Sequence, residues 1–155
     1  MERPIRRADR SIPNNEARAI LEQGEYGVLS TVSADGQPYG VPVSYTCTGE
    51  AIYFHCALEG HKLDNLNSNN RVSFCVVGQT QVLPDKFATN YESVIVFGMA
   101  LEVTGDEKHA GLLELLKKYS PDYLEKGERY INGDGPKARV YKIVIESMTG
   151  KARRK

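Results

Sequence analysis

The densest set of chemically capable side chains lies in one stretch, Tyr53-Phe54-His55-Cys56-Ala57-Leu58-Glu59-Gly60-His61-Lys62-Leu63-Asp64-Asn65. Its pattern is a strand, a Gly-containing turn and the start of a helix. Free N–H groups and the macrodipole make a helix N-terminus a ready anion site. His61 and Lys62 fall in the first turn, where a cation opposes the dipole by about 0.3–1 kcal/mol. A phosphate docked against Lys62 would relieve that conflict. Glu59 and Asp64 offer a plainer resolution, neutralising both cations on a solvated face.

Other chemistries find less to build on. His55, Cys56 and His61 carry metal-ligating atoms, but their spacing matches no zinc pattern and a fourth ligand is not evident, so no metal is expected. There is no G-x-S-x-G and no P-loop, which removes the anchors for a serine hydrolase or a Walker-type NTPase. Gly133-x-Gly135 is read as a loop, since no βαβ unit surrounds it.

The elements around this stretch follow from periodicity and punctuation. Asn14 to Glu22 reads as a short helix with Ala17, Ile20 and Leu21 on one stripe and Gly24 as its C′ glycine. Tyr26 to Val32 is a strand, Asp35-Gly36 suits a two-residue type I′ turn, and Tyr39 to Thr46 returns antiparallel. Pro38 and Pro42 mark that return as an edge, a bulge or a broken ladder. Ala51 to Cys56 is a third strand after a tight turn at Thr48-Gly49-Glu50. Gly60 to Asn69 is a helix with Leu63 and Leu66 inward, and Arg71 to Val77 a fourth strand. A loop is expected from there through Pro84 to about Asn90. Ser93 to Thr104 is a nearly continuous apolar strand suited to burial on both faces. Thr104-x-x-Glu107 reads as a capping box for a helix carrying His109, Leu112, Leu113 and Leu116 on one stripe, closed by Ser120-Pro121. Val140 to Ile145 is the last strand.

Six strands joined mostly by hairpins, with three or four helices, exclude a doubly wound parallel sheet. They predict a mainly β protein: a six-stranded antiparallel barrel with helices packed outside. At 155 residues this is one domain, expected to span the whole chain with loose tails at residues 1–10 and 151–155. Lys+Arg 20 balances Asp+Glu 20, which argues against a generally basic nucleic-acid binder. The balance is uneven along the chain, because Lys137 to Lys155 holds seven Lys/Arg and one Glu. The longest apolar run, Val94 to Leu101, falls far short of the ~20 residues of a spanning helix. The basic start, Met1 to Arg7, lacks the apolar segment of a signal peptide. Three cysteines with no C-x-x-C pair fit a reducing compartment, so a cytoplasmic location is expected.

Several blocks, in matching order, carry a resemblance. They are Gly24 to Thr31, Asp35-Gly36-Gln37-Pro38-Tyr39-Gly40-Val41-Pro42-Val43-Ser44-Tyr45, Ile52 to Ala57, Glu59-Gly60-His61-Lys62-Leu63-Asp64-Asn65, Thr89 to Val94, Lys118-Tyr119-Ser120-Pro121 and Thr149 to Arg153. Together they resemble the pyridoxamine 5′-phosphate oxidase-like FMN-binding split barrels, in their 5-nitroimidazole-resistance branch. The resemblance implies a split β-barrel homodimer with two FMN sites at the dimer interface. The flavin ring would lie along Pro42, Val43, Ser44 and Tyr45. Phosphate and ribityl chain would meet His55, Cys56, Ala57, His61, Lys62 and Asn65, and the partner would supply Tyr91, Glu92 and Ser93. His61 would be the catalytic residue, as proton donor or substrate-positioning group; equally, it would be a ligand of ribityl or phosphate.

The implied activity is that of an FMN-dependent oxidoreductase of nitroreductase type. Electrons would pass from a reduced nicotinamide or other donor to a small acceptor such as a nitroimidazole or nitroaromatic. The alternatives are a non-catalytic module binding flavin, haem or deazaflavin, and a pyridoxamine 5′-phosphate oxidase. No nucleic-acid or membrane partner is expected.

Overall fold

The computed structural model describes residues 3–134 and 137–155. The elements run β1 (Ser11–Ile12), α1 (Asn14–Gln23), β2 (Gly27–Val32), β3 (Pro38–Val43), β4 (Thr46–Thr48), β5 (Ala51–Cys56), α2 (His61–Ser68), β6 (Arg71–Leu83), β7 (Ala88–Val103), α3 (Gly105–Tyr119), α4 (Leu124–Asp134) and β8 (Arg139–Arg153). All strand pairs are antiparallel, in the order β3-β2-β6-β7-β8-β5-β4, with β1 on β8.

The sequence itself closes this sheet. β3 and β4 are its two edges, yet only Ser44 and Tyr45 separate them in the chain. Two residues reach about 7–10 Å, so the sheet must curl until its edges nearly meet. They meet without pairing, and the result is a split antiparallel barrel with flanking helices. The core is filled from one face of each long strand, with Leu29, Ile52, Phe54, Phe74, Val96 and Ile143 fully buried. α1 adds Ala17, Ile20 and Leu21 to it, as their spacing predicts.

Several expectations change. Among the described residues there are eight strands, not six. The return strand breaks at Ser44-Tyr45 into β3 and β4, and Ser11-Ile12 pairs with Gly150 and Lys151. The expected loop from 78 to 90 is mostly strand: β6 and β7 run on as a ribbon whose tip is the turn Pro84–Lys86. Both its faces are largely exposed, so it carries no alternation to read. The tail is not loose at 151–153, which pair with Ser93, Glu92 and Tyr91 of β7. Nor is the opening segment loose to Arg10, because Ala8–Arg10 form a helical turn braced by an Arg7–Asp9 ion pair.

Local chemistry also departs in detail. Asp35-Gly36 is not a two-residue type I′ turn. Ser33 and Gln37 face each other across three residues, and Gly36 takes φ 90°. That is the type I turn plus left-handed glycine of a three-residue hairpin. Gly24 sits in extended backbone; a Cβ there would run into the Tyr45 hydroxyl and Val76. The Thr104 capping box does not form. Glu107 accepts instead from Tyr53 Oη at 2.9 Å and Lys142 Nζ at 2.9 Å. α3 buries Gly111 and Leu115 against the sheet, while His109 is exposed and Leu112, Leu113 and Leu116 are half-buried. Residues 124–134 form a helix, and of the glycine loop expected there Gly135 and Pro136 lie outside the described residues.

Candidate functional site

The strand-to-helix turn is built as the sequence predicts. β5 ends at Cys56, and Ala57, Leu58 and Glu59 are exposed. Gly60 adopts φ 146°, a conformation side chains rarely take, and starts α2. Among the described residues no side chain caps this helix N-terminus, whose first turn carries His61 and Lys62. Lys62 is close enough to act electrostatically on both His55 and Cys56. Burial, and then the Lys62 charge, hold the His55 imidazole below its ordinary pKa. Burial pushes the Cys56 thiol up, against the pull of Lys62 and Arg139. His55 and Cys56 thus share the field of the Lys62 charge, His55 from the exposed face of β5 and Cys56 from its core face.

His61 is held from two sides. Its ring stacks on Tyr39, with centroids 4.1 Å apart and planes at 26°. Its Nε2 lies 3.3 Å from Ser33 Oγ. Ser33 Oγ donates to Asn65 Oδ1 at 3.0 Å, and Asn65 Nδ2 donates to Thr31 Oγ1 at 2.9 Å. A serine hydroxyl has one proton. With that proton on Asn65, Ser33 offers His61 an acceptor, which suits the tautomer with hydrogen on Nε2 and leaves Nδ1 as the second ring nitrogen. Asn65 is only 3% exposed and has both ends of its amide engaged. It acts through Ser33 on the orientation of His61. Ser33 and Thr31 escape a reading of the sequence because isolated hydroxyls on a hairpin carry no motif.

The β3 edge runs past this histidine. Ser33 N–H donates to Gln37 O at 2.9 Å, which sets the phase of the hairpin. Hydrogen-bonded and non-bonded pairs alternate in such a ladder. Tyr39, Val41 and Val43 therefore face β2, while Pro38, Gly40 and Pro42 turn their backbone groups to the free edge. Both prolines sit where no N–H is required. Pro42 and Ser44 are exposed and Val43 is buried. Tyr45 is 0% exposed: its hydroxyl bonds Leu21 O, and its N–H donates to Tyr119 Oη at 2.9 Å. Its side chain belongs to the core.

Ser44 and His55 also line a cavity of about 420 Å³ whose far walls are Leu112, Leu116 and Ile131 of α3 and α4. α3 lacks a strong sequence motif, and only the packing of α4 against it creates this hollow. Among the described residues, no three His, Cys, Asp or Glu side chains stand together as a metal site.

Tyr91, Glu92 and Ser93 are not brought to this group within one chain. They sit at the opposite end of β7 from Val103, which pairs with Val140 beside His55. Twelve residues of strand span about 40 Å of path. Around them is a second polar cluster. Arg154 Nη2 donates to Glu92 at 3.2 Å and its Nη1 to Glu16 at 3.0 Å. A hydrogen bond from Arg10 holds the Tyr91 phenol below its ordinary pKa.

The protein is an antiparallel split barrel with a cationic, uncapped helix start beside an unpaired strand edge. The sequence profile of the pyridoxamine 5′-phosphate oxidase family matches residues 13–152, and the chain belongs to that family. It is 27% identical to the uncharacterized protein RA0666 of Rhizobium meliloti (strain 1021), over 92% of this chain and 94% of that one. Its fold is similar to a proposed 5-nitroimidazole antibiotic resistance protein from Bacteroides thetaiotaomicron, with a TM-score of 0.75, 22% identity, and coverage of 92% and 86% of the two chains. It is also similar to an FAD-binding protein from Mesorhizobium loti, with a TM-score of 0.68, 24% identity, and coverage of 94% and 98%. No helix among the described residues is long and apolar enough to cross a membrane.

Proposed function

We propose that the protein is an FMN-dependent oxidoreductase of nitroreductase type, working as a homodimer. It takes electrons from a reduced nicotinamide donor and delivers them to a small acceptor such as a nitroaromatic. One observation carries the reading: an oriented histidine, a first-turn cation at an uncapped helix and a free strand edge share one rim. The donor set suits a flavin nucleotide. The α2 amides and Lys62 match a terminal phosphate. The Gly40 N–H and the Pro38 and Pro42 carbonyls match the donors and acceptors of a flavin's polar edge.

When bound, FMN supplies the hydride chemistry; the protein supplies position and electrostatics. Lys62 neutralises phosphate charge. Ser44, His55 and Ala57 line the path between the strand edge and the helix, while the Cys56 side chain belongs to the core. His61, fixed by Ser33 and Tyr39, presents Nδ1 as the atom that takes up and gives a proton to the acceptor.

The dimer reading draws on β7. Val94 and Val96 are buried, but the intervening Ile95 and Phe97 are 42% and 41% exposed on a central strand. A second copy covering this face would satisfy the two-sided burial its sequence suggests. It would also place Tyr91, Glu92 and Ser93 where only a partner's site can use them.

Purified protein should be yellow, and the released ligand should have the mass of FMN. Colourless protein that FMN cannot reconstitute overturns the reading, and the mass of FAD corrects the nucleotide. A module that binds flavin without turnover is the second reading, favoured by the FAD-binding relative. Stopped-flow mixing with NADH and NADPH separates the two, because the module's flavin would stay oxidised.

A further inference from the structure

We propose that the cavity between α3, α4 and the barrel is a binding site for an uncharged, largely apolar small molecule, seated with one edge toward His55 and Ser44. The volume of about 420 Å³ suits a single small ligand. Its walls are Leu112, Leu116 and Ile131, and among the described residues no charged side chain lines it. Four other concavities of the surface each include at least one charged residue. A charged ligand entering an apolar cavity would lose its hydration with no partner to replace it, so the lining selects against charge.

The cavity is held open by its frame. Gly127 lets α4 lie directly on Leu116, where a Cβ would collide with that side chain. The Glu107 contacts with Lys142 and Tyr53 fix the start of α3. Tyr119 fixes its end, accepting from Tyr45 N–H and sharing its proton between the carbonyls of Glu25 at 2.6 Å and Tyr45 at 3.1 Å. The polar groups at the barrel end are neutral in kind. Burial and Lys62 favour the uncharged form of His55, which can bond a nitro or carbonyl oxygen without placing a cation in the cavity.

Identifying the occupant as the electron acceptor rests on the flavin reading above; the site itself does not. The chain has no Trp, so the neutral fluorophore N-phenyl-1-naphthylamine can be titrated into full-length protein without interference from tryptophan emission. The expected result is one probe per chain, displaced by 4-nitrotoluene and at least tenfold less well by 4-nitrobenzoate. Leu112→Phe, which narrows the cavity without introducing a Trp, should weaken the probe at least tenfold while FMN affinity changes less than twofold. Tyr130→Ala at the exposed rim should weaken it about threefold and carries little risk to folding. Probe binding that neither variant alters, or equal displacement by both nitro compounds, overturns the proposal. Binding of the probe in this pattern by protein that takes no FMN would sink the flavin reading and leave the site standing. FMN binding without probe binding would do the reverse.

Discussion

The two ends of β7 carry polar clusters of opposite construction. At the α2 end, His61 is fixed by a chain of neutral hydrogen bonds that runs inward through Ser33 to a buried Asn65 and Thr31. At the ribbon end, Arg154, Glu16 and Glu92 are joined by ion pairs at the surface, with Arg154 about half exposed. Buried amides that lose a partner lose it outright, whereas exposed ion pairs exchange readily with water and salt. The first cluster is preorganised within one chain, and the second is free to be rearranged by whatever docks on it.

The sharpest way to break this contrast is Asn65→Leu. It removes both bonds of a buried amide and leaves the Thr31 hydroxyl short of a donor. Unfolding in urea should show a loss of about 2–3 kcal/mol. His61 should lose its fixed orientation, read as a change in its imidazole NMR shifts. Unchanged stability and shifts would mean that the buried chain does not set the histidine.

Gly127→Ala should come next. The added methyl meets the end of the Leu116 side chain; overpacking of about 1–3 kcal/mol is offset by the ~1 kcal/mol that Ala gains over Gly in a helix, so a net loss of about 0–2 kcal/mol is expected. The effect should be confined to the α3–α4 pair, with the His61 shifts unmoved. A variant more stable than the parent would show that the Leu116 side chain yields to the methyl at no cost.

How much of this was legible in the sequence depends on whether a residue's role is local. The β5–α2 turn was readable because Gly60, His61 and Lys62 act through backbone and spacing within one segment. The α1 stripe and the Pro38 and Pro42 edge were readable for the same reason. Glu107 was misread because a distant pair, Lys142 and Tyr53, outcompeted the local cap. The ribbon at 78–90 was missed because a strand exposed on both faces has no periodicity. Tyr45 was expected to line the flavin ring because the resemblance placed it on that strand. Only the closeness of Leu21 and Tyr119, far away in sequence, shows it to be core.

A smaller effect concerns charge. The His55 imidazole should titrate below 6.5 by NMR, because burial and Lys62 both disfavour its protonated form. The unfolded chain then takes up this proton first, so His55 contributes stability that is present above pH 6.5 and lost as pH falls toward its folded pKa. Lys62→Met should raise the midpoint only part of the way to 6.5, since burial is the larger cause. His55 is exposed at one side of the cavity, so a midpoint at or above 6.5 in the parent would show that its contact with solvent outweighs the wall and the Lys62 charge.

The least effect is expected at the other end of β7. Arg154→Ala cuts the contacts to both Glu16 and Glu92, yet each pair is partly exposed, and such pairs contribute about 0–1 kcal/mol. The monomer's stability should therefore fall by no more than about 0.5 kcal/mol, and less in high salt. Paired with Asn65→Leu, the variant sharpens the comparison, because it removes as many contacts for a fraction of the loss. If Arg154 instead organises a surface that a second copy uses, the dimer's dissociation constant will rise by more than the monomer's stability falls. Analytical ultracentrifugation at two salt concentrations reads the first quantity and urea unfolding the second. Equal, small changes in both would show that the ribbon-end cluster is solvated surface and takes no part in assembly.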